Sequence, residues 1–255
     1  MVISLTSLFR RCPCAPQLAA LLLTALCHGA GHAQAFSACG DLSNAFGPYD
    51  YRKDRGEPLR LVEGAHFRPQ VESLIKGQTS SLVGQDIDYT LRAFPNHHKA
   101  LLSAMRLAER EKKTQPPGMS YTIDCYFDRA LRFQTNDMTV RMIYAGHLAK
   151  QQKLDDARQQ LGYVAAQSED NPFTQYNVGL IYLEMKDYDA ALAQAHRAAA
   201  LGFPRTELRD KLQAVGKWVE PAASAAADAA SGAASSAAPA ASAAPAASTA
   251  AGAKP

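Results

Sequence analysis

The sequence lacks most of the features that mark enzymes and membrane proteins. It contains no G-x-S-x-G, H-E-x-x-H, P-loop or Rossmann pattern, so no common hydrolase, metalloprotease or nucleotide-binding class is indicated. Its most pronounced apolar run, Leu18 to Leu26, is too short to cross a bilayer comfortably. Its 27 basic and 24 acidic residues nearly balance, which gives no electrostatic reason to expect a nucleic acid or an anionic membrane as partner.

The apolar run lies in a segment with the pattern of a secretory signal peptide. Arg10 and Arg11 precede it, and the small residues of Ala33-Gln34-Ala35 follow it. This order predicts that residues 1–35 are removed during export to the periplasm or the medium. An uncleaved anchor is the alternative. A lipoprotein beginning at Cys39 is less well supported, because Phe36-Ser37-Ala38 is a poor lipobox.

Cysteine is scarce outside this segment. Of the five cysteines, only Cys39 and Cys125 lie beyond residue 35. In an oxidising compartment two such thiols form a disulfide when they can meet, so we predict a bond between Cys39 and Cys125. The alternative is that Cys125 is a reactive thiol activated by a nearby histidine.

The C-terminal segment, residues 221–255, has no large apolar residue. It consists almost entirely of Ala, Ser, Pro and Gly, a composition that cannot bury a core, and we predict a disordered tail. Residues 206–220 predict a capping helix before this tail, with Leu208, Leu212 and Val215 on one face. Trp218 is expected to pack beneath that helix.

What the sequence does have is a repeat. Residues 175–198, QYNVGLIYLEMKDYDAALAQAHRA, predict two helices joined by a tight polar turn. A similar pattern of small and apolar residues occurs 34 residues earlier, and a period of this length is typical of stacked helical hairpins. The corresponding pairs are Ala145 and Gly179, Leu148 and Tyr182, Ala157 and Ala191, and Val164 and Ala198.

These residues resemble the tetratricopeptide repeat (TPR), which has small residues at its eighth and twentieth positions, an aromatic at the eleventh and alanine at the twenty-seventh. Gly179, Ala191, Tyr182 and Ala198 fall on those positions. The resemblance implies an all-α solenoid of antiparallel helical hairpins; two unrelated amphipathic hairpins are the alternative. The expected parts are a degenerate repeat over residues 96–137, repeats over 138–171 and 172–205, and the capping helix over 206–220.

Residues 36–95 show no repeat. Their first part, residues 36–51, is dense in Gly, Pro, Asn and aromatic residues and predicts an irregular arm. Short helices are expected at Leu59–His66 and Pro69–Lys76, and Asp86 is a candidate cap for a further helix ending at Phe94. A wider resemblance, to uncharacterised secreted bacterial TPR proteins, rests on Cys39-Gly40, Phe46 to Arg52, Phe94 to His98 and Cys125 to Phe127.

In TPR arrays the first helix of each repeat lines a concave groove, so the resemblance implies a binding surface. Families that grip a C-terminal carboxylate carry Lys and Asn at positions two and six of that helix. Here only Asn177 matches, which argues against such a clamp. A mixed apolar and polar groove is expected instead, although Ile143 and Phe173 fit the core equally well. The candidate contact residues are Thr139, Met142, Ile143, Phe173, Tyr176 and Asn177.

These observations predict a non-enzymatic, exported TPR scaffold that binds a protein or peptide and needs no cofactor or metal. The alternative is an envelope protein that binds a small molecule or a cell-wall polymer, in the groove or beneath the arm. A third hypothesis is an enzyme or metal protein built on His97, His98 or Cys125. Adjacent histidines point to different sides of a helix and do not converge on one ion. We therefore expect His97-His98 to begin a helix and to pack between helices.

Overall fold

The computed structural model describes residues 39–221. The predicted signal peptide, and all but the first residue of the predicted disordered tail, lie outside the described residues. Between residues 39 and 221 every regular element is an α-helix, which confirms the all-α class. No helix in that range is both long enough and apolar enough to cross a bilayer.

The described chain contains ten helices and divides into two compact units, with the boundary between Phe133 and Gln134. The helix pair predicted as a degenerate repeat belongs to the first unit. Helices of the first unit are α1 (Glu57–His66), α2 (Pro69–Glu72), α3 (Val83–Ala93), α4 (His98–Glu111) and α5 (Ile123–Phe133). Helices of the second unit are α6 (Met138–Lys150), α7 (Leu154–Gln167), α8 (Pro172–Glu184), α9 (Tyr188–Ala200) and α10 (Glu207–Ala214).

The N-terminal arm, residues 39–51, belongs to the core of the first unit. It has no regular structure, as expected. Tyr51 is buried in one cluster with Leu59 of α1 and with Phe94 just after α3. The Tyr49 amide donates to the Ala93 carbonyl at 2.9 Å. The arm is therefore held by aromatic packing and by its backbone together.

Two expected boundaries in this unit are wrong. α2 ends at Glu72 rather than at Lys76, because the chain turns at Leu74, which has a left-handed φ of 61°. α3 begins at Val83, so Asp86 is not its cap. The Asp86 carboxylate instead accepts hydrogen bonds from the preceding loop, including one from the Gln78 amide at 2.6 Å.

The second unit repeats its local geometry. α6 and α8 both begin after a residue whose side-chain oxygen accepts from the amide three residues later, Asp137 for α6 and Asn171 for α8. The three-residue connections that follow these helices each contain a left-handed residue, Gln152 at φ 63° and Lys186 at φ 60°. Both pairs are 34 residues apart. The period of the sequence is therefore also a period of the backbone.

The predicted pairs of small and apolar residues form the inside of the second unit. α7 packs on α6, and α9 packs on α8. α10 packs on α8 and α9, burying Leu208 and Leu212. The Trp218 ring lies 4.9 Å from the His196 ring, centroid to centroid, and packs against this core as expected. The buried repeat residues are Ala145, Leu148, Ala157, Val164, Gly179, Tyr182, Ala191 and Ala198.

Candidate functional site

The six predicted groove residues lie on α6 and α8, the first helices of the two hairpins in the second unit. On α6, the side chains of Thr139, Met142 and Ile143 are partly buried. Met142 also packs against the core of the unit. All three residues retain some surface open to solvent, which a contact with a ligand requires.

The predicted residues of α8 differ sharply in exposure. Phe173 is 58% exposed, whereas Tyr176 is 3% exposed. The Tyr176 ring packs on the Phe203 ring with centroids 4.6 Å apart. Burial, and then the negative charge of Glu207, raises the pKa of the Tyr176 hydroxyl. Phe173 is thus the exposed residue of the two, and Tyr176 is buried beneath the surface.

Asn177 is partly buried, and the NH₂ group of its side chain is hydrogen-bonded within its own helix. Its Nδ2 group donates to the Phe173 carbonyl at 2.8 Å. Its Oδ1 atom has no hydrogen-bond partner among residues 39–221, and it is free to accept one from a bound chain. The side chain links no other helix, so its hydrogen bond contributes little to the packing of the unit.

A cleft of about 200 Å³ opens beside Phe203, and sequence analysis did not predict it. Its apolar wall comes from α8, α9 and the chain that joins α9 to α10. The exposed Arg205 and Thr206 lie at its polar side. The Phe173 and Phe203 rings are 6.2 Å apart in an edge-to-face arrangement. The apolar lining residues are Tyr176, Ala195, Ala198, Ala199, Phe203 and Leu208.

Residues 217–221, here called the C-terminal strap, line the other side of this cleft. Glu220 accepts from Arg209 Nη2 at 2.9 Å and from Trp218 Nε1 at 3.0 Å. His196 Nε2 lies 2.8 Å from the Val219 carbonyl and donates to it. The contacts of the strap with Arg209 and His196 join residues 11 and 23 positions apart and follow no periodic pattern. This explains why sequence periodicity did not reveal the cleft.

The predicted disulfide is present in the first unit. Cys39 and Cys125 are joined, with Cα atoms 5.0 Å apart. Two arginines, one and two turns further along α5, hold the same part of the arm. Arg129 Nη1 donates to the Cys39 carbonyl at 3.1 Å and Arg132 Nη2 to the Gly40 carbonyl at 2.9 Å. Cys125 therefore fastens the arm in this structure and is not a free thiol.

The histidine pair begins a helix, as expected. His97 caps α4: its Nδ1 accepts from the Ala100 amide at 3.1 Å, and its Nε2 donates to Glu63 at 3.1 Å. Burial lowers the pKa of His97, although the Glu63 carboxylate opposes that shift. His98 packs edge-to-face on Tyr51. Among residues 39–221 no group of three or more His, Cys, Asp or Glu side chains could hold a metal ion.

The segments behind the wider resemblance contact one another in the first unit. Asn96 Nδ2 donates to the Asp50 carboxylate at 2.7 Å, and the Tyr51 amide donates to Asn96 Oδ1 at 2.9 Å. Burial alone would raise the pKa of Asp50, but hydrogen bonds from Arg52 and Asn96 outweigh it and bring that pKa to about 2. These residues fix the arm on α4 and have a structural task.

The first unit has a cleft of its own, which sequence analysis also did not predict. It measures about 230 Å³ and lies between the arm, α1 and α3. His66 in its wall is 3.0 Å from Asp86, a residue that the sequence suggested only as a helix cap. Twenty residues separate the two in the chain, so no helical or strand spacing could have paired them.

Similarity to known proteins adds no assignment to these two sites. No protein-family model, curated protein or solved structure matches the chain.

Proposed function

We propose that the protein is a TPR-type scaffold whose second unit binds an extended peptide or protein segment and catalyses no reaction. The 34-residue period of its caps, its left-handed turn residues and its buried small residues supports the TPR assignment. The first helices of such hairpins form the binding surface of TPR arrays. The predicted groove residues of α6 and α8 other than the buried Tyr176 would then contact the partner.

The observation that carries this proposal is the exposure of Phe173. Phe173 is a large aromatic side chain that is 58% exposed, so a partner that covered it would remove a large apolar area from water. It also adjoins the cleft beside Phe203. Aromatic residues next to pockets are frequent energetic centres of protein interfaces. Phe173 and this cleft together favour an apolar side chain of the partner.

The charge beside the cleft favours a particular kind of peptide. Arg209 is neutralised by Glu220, whereas Arg205 makes no ion pair with another described residue. A peptide with an aliphatic or aromatic side chain next to an Asp or Glu would place the side chain in the cleft and the carboxylate near Arg205. Asn177 Oδ1 would accept a hydrogen bond from its backbone.

The proposal includes export and a flexible spacer. The order of charges, apolar residues and small residues in 1–35 supports a signal peptide, and the Cys39–Cys125 disulfide is compatible with an oxidising compartment. The Ala, Ser and Pro composition of residues 222–255 supports a disordered spacer that leaves the second unit free to meet its partner. The periplasm is the compartment that we propose.

The test is a peptide-library selection on residues 36–255, followed by fluorescence-polarisation titration of the enriched peptides. Phe173→Ala should weaken binding at least about tenfold, since it removes an interface aromatic. Asn177→Ala should weaken it by a smaller factor and leave the thermal midpoint nearly unchanged. Ile75→Ala, which truncates an even more exposed apolar residue of the first unit, is the control. Selected peptides that bind wild type and Phe173→Ala equally would refute this binding surface.

A further inference from the structure

The cleft of the first unit has apolar walls and one histidine. Phe46 of the arm, Leu61, Val62 and Ala65 of α1, and Tyr89 of α3 surround His66, the last residue of α1. Its volume of about 230 Å³ is below the roughly 300–1,000 Å³ of sites for drug-sized ligands, so it admits only a small compound. Leu61 is 53% exposed, so the cleft is open to solvent on that side. An apolar pocket with a few placed polar groups is the usual form of a ligand site.

Asp86 fixes which nitrogen of His66 carries the proton. Asp86 is fully buried, and its carboxylate also accepts from the Gln78 amide at 2.6 Å and from Thr79 Oγ1 at 2.5 Å. Burial alone would raise the pKa of Asp86, but the hydrogen bonds from Thr79, Gln78 and His66 outweigh it and lower that pKa. An ionised carboxylate can only accept hydrogen bonds. His66 Nδ1 therefore donates the proton in the 3.0 Å contact with Asp86.

In the tautomer that carries its proton on Nδ1, the other nitrogen, Nε2, is an acceptor. Tyr89 stacks on one face of the imidazole, with centroids 3.9 Å apart and planes 24° apart. The ring is thus held by Asp86 at one atom and by Tyr89 along one face, and it cannot turn without losing both contacts. His66 Nε2 has no hydrogen-bond partner among residues 39–221. It presents a lone pair in a fixed direction.

We propose that this cleft binds a small, uncharged aromatic compound that carries a hydroxyl group, with the hydroxyl donating to His66 Nε2. The aromatic rings of Phe46 and Tyr89 and the aliphatic side chains of α1 suit a flat apolar body. A lone-pair acceptor suits an O–H donor and gives no such advantage to an ether or a hydrocarbon. The inference concerns the first unit alone and does not rest on peptide binding by the second unit.

Metal binding is the other common use of a carboxylate-oriented histidine. A metal site needs several converging ligands. Asp86 is occupied by its four hydrogen bonds, and the remaining lining residues offer no carboxylate, thiol or second imidazole. The phenol-type ligand therefore agrees best with the lining of the cleft.

The probe is 4-ethylphenol, titrated into residues 36–255 labelled with ¹⁵N-histidine. Its methyl ether, 4-ethylanisole, has a nearly identical apolar body but no donor. We expect a dissociation constant on the order of 1 mM for the phenol and binding about tenfold weaker for the ether, the effect of one hydrogen bond. The His66 Nε2 resonance should be that of an unprotonated nitrogen and should move as the phenol is added.

Two variants locate the site. His66→Asn keeps a donor near the position of Nδ1 for Asp86 but removes Nε2, and it should weaken phenol binding about tenfold. Leu61→Asp places a charge at the exposed side of the cleft, where folding tolerates it, and should weaken binding by a similar factor. His196→Asn, in the second unit, should bind as wild type does. The proposal is overturned if phenol and ether bind equally, if His66→Asn and Leu61→Asp both bind normally, or if Nε2 carries the proton.

Discussion

Gly179 of α8 lies so close to Leu208 of α10 that a methyl group at residue 179 would be 2.5 Å from the Leu208 Cδ2 atom. The same methyl group would be 3.1 Å from Gln194 Cβ on α9. Gly179 is the small residue at the point where these three helices of the second unit meet. The repeat pattern asks for a small residue here, and the packing of α10 makes glycine the residue that fits.

We predict that Gly179→Ala destabilises the second unit by about 1–2 kcal/mol. Alanine gains about 1 kcal/mol of helix propensity over glycine, but overpacking a tight core costs about 1–3 kcal/mol and forces Leu208 to move. The measurement is urea unfolding followed by far-ultraviolet circular dichroism. The change should appear in the transition of the second unit only.

Gly162→Ala is the matched control. Gly162 lies in α7 of the same unit, is exposed, and has no neighbouring atom within 4 Å of the position of an added methyl group. This substitution should stabilise the unit by about 0.5–1 kcal/mol, because only helix propensity changes. If both substitutions shift the midpoint in the same direction, the close contact with Leu208 does not determine the effect at residue 179.

Loss of the disulfide should destabilise the first unit. For a sequence separation of 86 residues, the loop-closure model assigns the cross-link roughly 4–5 kcal/mol at 25 °C. Cys39→Ser and Cys125→Ser should each cause this loss, and the double variant should cause no more. Thermal unfolding of the three variants measures it. Losses that add in the double variant would show that the two residues act separately.

The stability of the first unit should fall on mild acidification because of His97. Its pKa is lowered by burial from the ordinary value of 6.5, so the unfolded chain binds a proton at a higher pH than the folded unit does. The stabilising contribution is complete above pH 6.5 and is lost as the pH falls from there towards the folded pKa. The slope is at most about 1.4 kcal/mol per pH unit.

His97→Asn isolates this contribution. Asparagine does not titrate and is a good helix cap, so the variant should lose stability overall but should lack the His97 part of the slope below pH 6.5. Denaturant unfolding of both proteins at pH 8, 7, 6 and 5 tests the difference. The pKa of Asp50 is about 2 in the folded unit, so its contribution to stability is lost only below about pH 4. Parallel pH profiles would contradict the role assigned to His97.

Truncation should separate the strap from the tail. Removing residues 222–255 should leave the unfolding midpoint unchanged, since the segment has no large apolar residue to bury. Removing residues 217–255 should destabilise the second unit by about 1–2 kcal/mol, because the Trp218 packing and the Glu220 hydrogen bonds are lost. A drop in midpoint after the shorter truncation would mean that the tail contributes to folding.

The features that sequence reasoning predicted well are local or unique. Small residues such as Ala157 and Ala191 recur at a fixed spacing, so the helices of the second unit followed from the period. The disulfide followed because the sequence leaves only one pair of cysteines beyond residue 35. His97 was correctly placed at the start of a helix because the chain turns at Pro95-Asn96.

The features that it missed depend on contacts between distant residues. Asp86 has the residue type of a cap, but the loop around Thr79 and the side chain of His66 take up its carboxylate, and the helix starts one turn earlier. Tyr176 shares its helix with Phe173, yet it is buried because Phe203 returns over it. Neither outcome is encoded in the spacing of residues along one helix.

Trp218, which packs between His196 and Arg209, is the single tryptophan of the chain. Light absorbed selectively by indole therefore excites only this position, and the emission reports on the C-terminal end of the second unit. The first unit contains only tyrosines and phenylalanines as aromatic chromophores. A red shift of the emission during a denaturant titration thus reports the opening of the strap. A change in far-ultraviolet circular dichroism at a different denaturant concentration reports the unfolding of the first unit.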